Sequence, residues 1–307
     1  MSPQATREWE ARWALPAALA AFAAVVLLLV PGFVSSVSGS GEAEILRSVD
    51  AHNGSVTLTS LLQAIAFFLL AIPLVYLFRA ARARSERVLP QMIVLAAVAP
   101  LLIGVGTFIL GQARQEAAEH FVAGEAKPTL SQAKAHEECS SEQKDEGKKE
   151  FAEEAEPEKG ETALAACERK KREDDAASNA VSDASLNTVA GVVTLAGGLL
   201  FAISLFYTCL WAMRLGLLTR FWGSLGMALG IAVLIGFVVL AIVWFLYLGL
   251  LYLGKLPGGK PPAWEAGEAL PWPTPGDKAA AELEAGEADE PNEPGDPEEK
   301  RKRKQRE

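Results

Sequence analysis

Residues 56–111 read VTLTSLLQAIAFFLLAIPLVYLF (56–78), RAARARSER (79–87) and VLPQMIVLAAVAPLLIGVGTFILG (88–111). Two apolar runs, each without any Asp, Glu, Lys or Arg, flank a short segment carrying four arginines. About 20 apolar residues in helical form cover a hydrocarbon core of about 30 Å. Water is absent there, so the backbone must satisfy its own hydrogen bonds and an isolated run has to be helical. The stretch reads as two membrane-crossing helices joined by an arginine-rich turn.

Three further uncharged runs lie at 13–34, 189–213 and 223–253. The expected fold is all-α: a polytopic helical membrane bundle of about five spans. Residues 1–12 form its N-terminus, 13–111 hold spans one to three, 112–188 form an acidic helical loop and 189–254 hold spans four and five. Residues 255–307 form a disordered tail with a basic end. The 50% apolar content and mean hydropathy of +0.18 average over these unlike segments. Ordinary soluble domains, collagen, coiled coils and small disulfide scaffolds are excluded. The net charge of −9 is local, because residues 112–188 hold 11 Lys+Arg against 19 Asp+Glu and residues 255–307 hold 9 against 13. It reports solvated segments and implies no specific nucleic-acid partner.

Basic residues in short loops mark the cytoplasmic side. Arg79, Arg82, Arg84 and Arg87 crowd the second connection, Arg214 and Arg220 flank the fourth, and Arg7 and Arg12 precede the first span. The first-to-second loop has only Arg47. The count predicts a cytoplasmic N-terminus, with 34–55 and 112–188 outside. Five spans then carry the C-terminus outside, against the charge of Lys255 and Lys260. The first span exceeds a secretion-signal core of about 7–15 residues and is expected to be retained.

The polar residues of the spans, among them Thr59, Ser60, Thr107, Thr194, Ser204 and Thr208, are expected to bond back to their own helices or join neighbours. Gly226 and Gly230 form a GxxxG, which lets backbones approach; it serves helix packing within the chain or a homo-oligomer. The fifth run is about 31 residues long and must tilt, overshoot the hydrocarbon or break near Gly223–Gly230. Trp9, Trp13, Trp244, Tyr247 and Tyr252 suit interfacial anchoring.

The 112–188 loop is rich in Ala, Glu, Lys and Gln and poor in aromatics. The third span is expected to run on to Gly124, followed by helices near 130–155 and 161–177 and a return at Ser185. Thr129 and Gln132 fit a capping box, and residues 156–160 a turn. Leu130, Phe151 and Leu164 offer too little core to offset the ordering entropy. Cys139 and Cys167 are the candidate disulfide, since oxidation is permitted outside the membrane. Two helices meeting at 156–160 would set Cys139 opposite residue 177, so the bond demands another bend. Cys209, in a span, reads as a buried thiol.

His136, Glu137, Glu138 and Cys139 lack the spacing of a zinc site. GxSxG, P-loop and supported GxGxxG motifs are absent from the sequence, so no catalytic, cofactor or metal residue is assigned and no enzymatic activity is expected. The tail from Leu256 concentrates nine of the 17 prolines. Trp264 and Trp272 there are docking elements or incidental aromatics of a solubilising tail.

The segment Arg214-Leu-Gly-Leu-Leu-Thr-Arg220-Phe-Trp222, followed by Gly-Ser-Leu-Gly226, resembles a hairpin of uncharacterised bacterial multi-pass membrane proteins that carry only a domain-of-unknown-function label. The resemblance covers about 60 residues of the fourth and fifth spans. It implies a bacterial inner-membrane setting and transfers no binding residue. The functional expectation is a scaffold or sensor-like membrane protein that offers its outer helical loop to protein partners. The competing expectation is a small-solute transporter or channel subunit.

Overall fold

The computed structural model describes residues 2–34, 37–146, 157, 160–234 and 238–272. Among these, every regular element is an α-helix: α1 Pro3–Val34, α2 Glu42–Ala51, α3 Asn53–Arg84, α4 Met92–Val122, α5 Gln132–Glu146, α6 Ala163–Asp183, α7 Ser185–Arg214, α8 Arg220–Leu234, α9 Val238–Leu253 and α10 Pro262–Ala266. Four of them, α1, α3, α4 and α7, are long and apolar enough to cross a membrane. This is a helical membrane bundle.

Around the bundle the order is α1, α3, α4, α7, α8, α9, with α9 packed back against α1. Leu70, Leu74, Leu77, Phe201, Leu205, Phe245 and Leu248 fill the centre. Small residues set the closest crossings: a Cβ on Gly106 would stand 2.9 Å from the backbone nitrogen of Thr194, and one on Gly197 2.8 Å from that of Ile103. Dispersion across such contacts replaces the hydrophobic drive that lipid does not supply.

The fifth apolar run departs from the single span expected of it. It consists of α8 and α9, of 15 and 16 residues. At 1.5 Å per residue each is about 23 Å long, short of a full crossing. The chain reverses between them. The Trp244 indole donates to the Trp222 carbonyl at 3.1 Å, and the rings of Trp222 and Tyr247 stack 3.9 Å apart. In one continuous helix, residues 22 positions apart would be separated by about 33 Å.

The reversal overturns the expected side of the C-terminal segment. α9 returns to the end of the bundle where α1 begins, α3 ends and α7 turns into α8. There the Trp264 indole donates to the Leu217 carbonyl at 2.9 Å. Arg7, Arg12, Arg79, Arg82, Arg84, Arg87, Arg214, Arg220, Lys255 and Lys260 therefore all lie toward one end, which removes the conflict that an odd number of spans creates. Trp244, Tyr247 and Tyr252 are buried, not interfacial, because folding back turns them onto Trp222, Gly226 and Tyr76. The segment from Leu256 to Leu270, expected to be disordered, is part of the bundle's compact unit, with Trp264 buried. The remainder of the expected tail, 273–307, lies outside the described residues.

Candidate functional site

At the end opposite the arginines, α2, α5, α6 and the last turns of α4 form a helical module. Its core is built almost wholly of small side chains, Ala43, Ala117, Ala118, Ala177, Ala180 and Ala184, together with Leu46 and Val49. Alanine lets the helices approach but buries little area, so this packing alone contributes modestly. α2 went unforeseen in the sequence. Its signal was the spacing of Ala43, Leu46 and Val49 on one helical face, with Glu42 and Glu44 in the first turn, where the helix dipole favours acid.

Two consecutive aspartates of α6 hold separate segments. Asp174 accepts the N–H of Ala43 at 2.9 Å, at the start of α2. Asp175 accepts the Leu130 N–H at 2.8 Å and the Thr129 hydroxyl at 3.1 Å. The Leu130 N–H, the Thr129 hydroxyl and the Thr129 N–H hold the Asp175 carboxyl below its ordinary value, because they favour its charged form. Thr129 is thus not the cap of α5. That place falls to Ser131, whose hydroxyl accepts the Lys134 N–H at 3.4 Å, because a carboxylate outcompetes a local turn for Thr129. Thr162 caps α6, accepting the Ala165 N–H. α4 ends at Val122, and Gly124 turns the chain at φ +73°.

Cys139 and Cys167 stand at disulfide distance, with Cα atoms 6.0 Å apart. α5 is helical through Ser140 and Ser141 without a bend, and residues 147–156 lie outside the described residues. His136 lies 2.7 Å from Glu168 and Lys171 lies 2.6 Å from Glu142, so α5 and α6 lie side by side along the cysteine pair. Of the expected 156–160 turn, Gly160 has φ +95°, and residues 156, 158 and 159 lie outside the described residues, as does Phe151. Leu164 packs against the cysteines. Lys171, despite partial desolvation, is held above its usual value by Glu142 and Glu138. The sulfurs of Cys139 and Cys167 and a Glu142 oxygen lie within 4.8 Å of one another; joined sulfurs offer no thiolate to a metal. His136 faces Glu168 instead of completing such a set.

A cavity of about 450 Å³ opens between the end of α4, the following linker and the α5–α6 pair. Phe121 and Pro128 give it apolar walls, and Gln132, Glu168 and Arg172 polar ones. The Nε of Arg172 is buried without an acceptor among the described residues. Neighbouring charges are engaged: Arg47 meets Glu173 at 2.7 Å, and Arg169 meets Glu161 at 3.2 Å.

At the other end, Arg84 was legible only as a topological charge. Its side chain is fully buried and that of Glu10 is 6% exposed. The two are paired, and Arg84 also donates to the Ala263 carbonyl at 2.7 Å and lies 5.4 Å from the Trp264 ring. Tyr76 is stacked between Trp9 and Trp264 and donates to the Glu10 carbonyl at 3.1 Å. The arginine and its aromatic neighbours thereby fasten α10 to α1 and α3. Arg79, Arg82, Arg87, Arg214 and Arg220 lie around this site at the same end, with Arg214 over the Trp211 ring.

Gly226 and Gly230 come together with α7 and α9. A Cβ on Gly226 would lie 2.5 Å from Cys209 Sγ and 2.8 Å from the Trp244 ring, and one on Gly230 would lie 2.9 Å from Ala202 Cα. Cys209 is buried. The hydroxyls of Thr59, Ser60 and Thr107 bond back to their own helices, whereas those of Thr194, Ser204 and Thr208 are buried without a partner among the described residues.

Fold and sites together define a multi-pass helical membrane protein with an ordered module at one end. No protein-family model, curated protein or solved structure matches the chain.

Proposed function

We propose that the protein is a scaffold or sensor-like component of a bacterial inner membrane that offers a stapled helical module to protein partners outside the cytoplasm. The N-terminus and the arginine-rich end face the cytoplasm in this reading. The observation that carries it is the construction of the module: α5 and α6 are cross-linked and clasped by Asp174 and Asp175 to α2 and the linker, yet leave an open cavity with an unengaged Arg172 donor. An arginine presenting a buried N–H beside apolar walls suits a carboxylate-bearing partner side chain. The resemblance of the fourth and fifth spans supports the bacterial setting. The cysteine pair supports an oxidising compartment.

A photo-crosslinking residue at Gln132, on the cavity wall, tests the reading in native membranes. A discrete protein adduct is expected there and not at Val192, which is exposed on the flank of the bundle. Arg172→Ala should lower its yield. Absence of an adduct at Gln132 overturns the proposal. The second reading, a small-solute transporter or channel subunit, is favoured by Ser204 and Thr208, one turn apart on α7 with unpartnered hydroxyls. Substrate-dependent flux in proteoliposomes would install it in place of the first.

A further inference from the structure

Two adjoining cavities at the arginine end share a wall. An apolar one of about 230 Å³ runs between α1 and α3, lined by Trp9, Trp13, Ile72, Val75 and Arg79 among others. A polar one of about 640 Å³ is lined by Arg79, Arg82, Arg84 and Glu86, and again by Trp9. Trp9 and Arg79 belong to both. Trp13 and Ile72 are 47% and 41% exposed, so the apolar slot opens on the outside of the bundle.

The charges of the polar cavity do not cancel. Arg84 is neutralised by Glu10. Arg82 donates one nitrogen to the backbone carbonyls of Ser85, Glu86 and Val88, which fixes its position without compensating its charge. Arg79 is exposed and has no hydrogen-bond or ion-pair partner among the described residues. Glu86 is the one carboxylate among the residues lining this cavity. The slot extends from Arg79 toward Ile72, about 10 Å along α3 at 1.5 Å per residue. An apolar slot capped by uncompensated arginine has the polarity of an anionic amphiphile.

We infer that this groove is a binding site for an anionic phospholipid. The acyl chain lies along Trp13, Ile72 and Val75, the phosphate meets Arg79 with Arg82 as the second charge, and the Trp9 indole stands at the junction, as tryptophan does at membrane interfaces. A zwitterionic lipid would present its ammonium to the same arginines and bind more weakly. The inference stands apart from the proposed function, since it uses only the opposite end of the bundle.

Native mass spectrometry of the full chain, released from detergent with equal phosphatidylglycerol and phosphatidylcholine, tests it. The wild type should retain phosphatidylglycerol several-fold over phosphatidylcholine. Arg79→Gln breaks no described contact and should lower phosphatidylglycerol retention about fivefold, the scale of one near-surface charge. Arg214→Gln, an equal charge loss elsewhere at this end, should not. Ile72→Trp, which fills the slot, should lower retention of both lipids. Glycerol phosphate should fail to displace the bound lipid. Equal retention of the two lipids by the wild type, an unchanged Arg79→Gln, or displacement by glycerol phosphate would each overturn the assignment.

Discussion

The indole N–H of Trp244 donates to the backbone carbonyl of Trp222, although no charged residue interrupts the 31 positions from 223 to 253. That bond carries the sidedness of everything after residue 253. With single cysteines in a Cys-free background, a membrane-impermeant maleimide on intact cells should label Lys144→Cys and spare Arg82→Cys and Lys260→Cys until the membrane is opened. Labelling of both 144 and 260 would restore a fifth full span. Labelling of 82 and 260 without 144 would invert the orientation.

The close approach of α8 to α7 and α9 makes Gly226 and Gly230 intolerant of side chains. Overpacking a tight contact costs about 1–3 kcal/mol, and at Gly226 both Cys209 and the Trp244 ring obstruct the new group. Gly226→Leu and Gly230→Leu should each lower the thermal midpoint in detergent by several degrees. Gly191→Leu serves as the control, since nothing lies within 4 Å of its Cβ position. Three equal midpoints would remove the argument.

The four crossing helices were legible because hydrocarbon thickness imposes length and apolarity directly on sequence. The hairpin of α8 and α9 was not, because its two halves are as apolar as one long span. Its traces were Gly223, Gly226 and Gly230 at spacings of three and four, and the misplaced charge of Lys255 and Lys260. The Glu10–Arg84 pair and the docking of Trp264 were invisible for another reason. Each joins residues distant in sequence, and a basic residue beside a span reads the same whether it points to solvent or into a buried carboxylate. The clasp by Asp174 and Asp175 is equally non-local, since an acid in an acidic loop carries no distinguishing mark.

The Cys139–Cys167 bond closes a loop of 28 residues, for which the chain-entropy estimate is about 3.6 kcal/mol. The exposed ion pairs around it contribute about 0–1 kcal/mol each, so the staple dominates. Cys139→Ser should make α5 and α6 markedly more sensitive to protease while the bundle resists. Free thiols at both positions, alkylated in intact cells and found under non-reducing denaturation, would end this reading.

Asp175 gives the module an acid sensitivity. Its folded pKa lies below the unfolded value, so its contribution is present above the unfolded value of about 3.9 and is lost as pH falls through the folded one. Amide-exchange protection at Thr129 and Leu130 should therefore decline in acid below about pH 4. In Asp175→Asn it should be low already at neutral pH and flatter with acidification. Identical profiles in the two proteins would show that the linker is held by something else.

Glu10 and Arg84 form the most fully buried ion pair among the described residues, and removing one member strands the other. Breaking such a pair typically costs about 3–5 kcal/mol, whereas replacing both partners by apolar groups of similar volume is far milder. Glu10→Leu should therefore destabilise the protein more than Glu10→Leu combined with Arg84→Met. Arg84 also anchors α10 through the Ala263 carbonyl and the Trp264 face, so the double variant should regain stability without regaining the docked segment. Protease cleavage at Lys260 separates these two effects: it should be slow in the wild type and fast in both Arg84→Met and the double variant. Additive losses in the double variant, with cleavage at Lys260 unchanged, would show that the pair neither couples the two helices nor fastens the segment that follows α9.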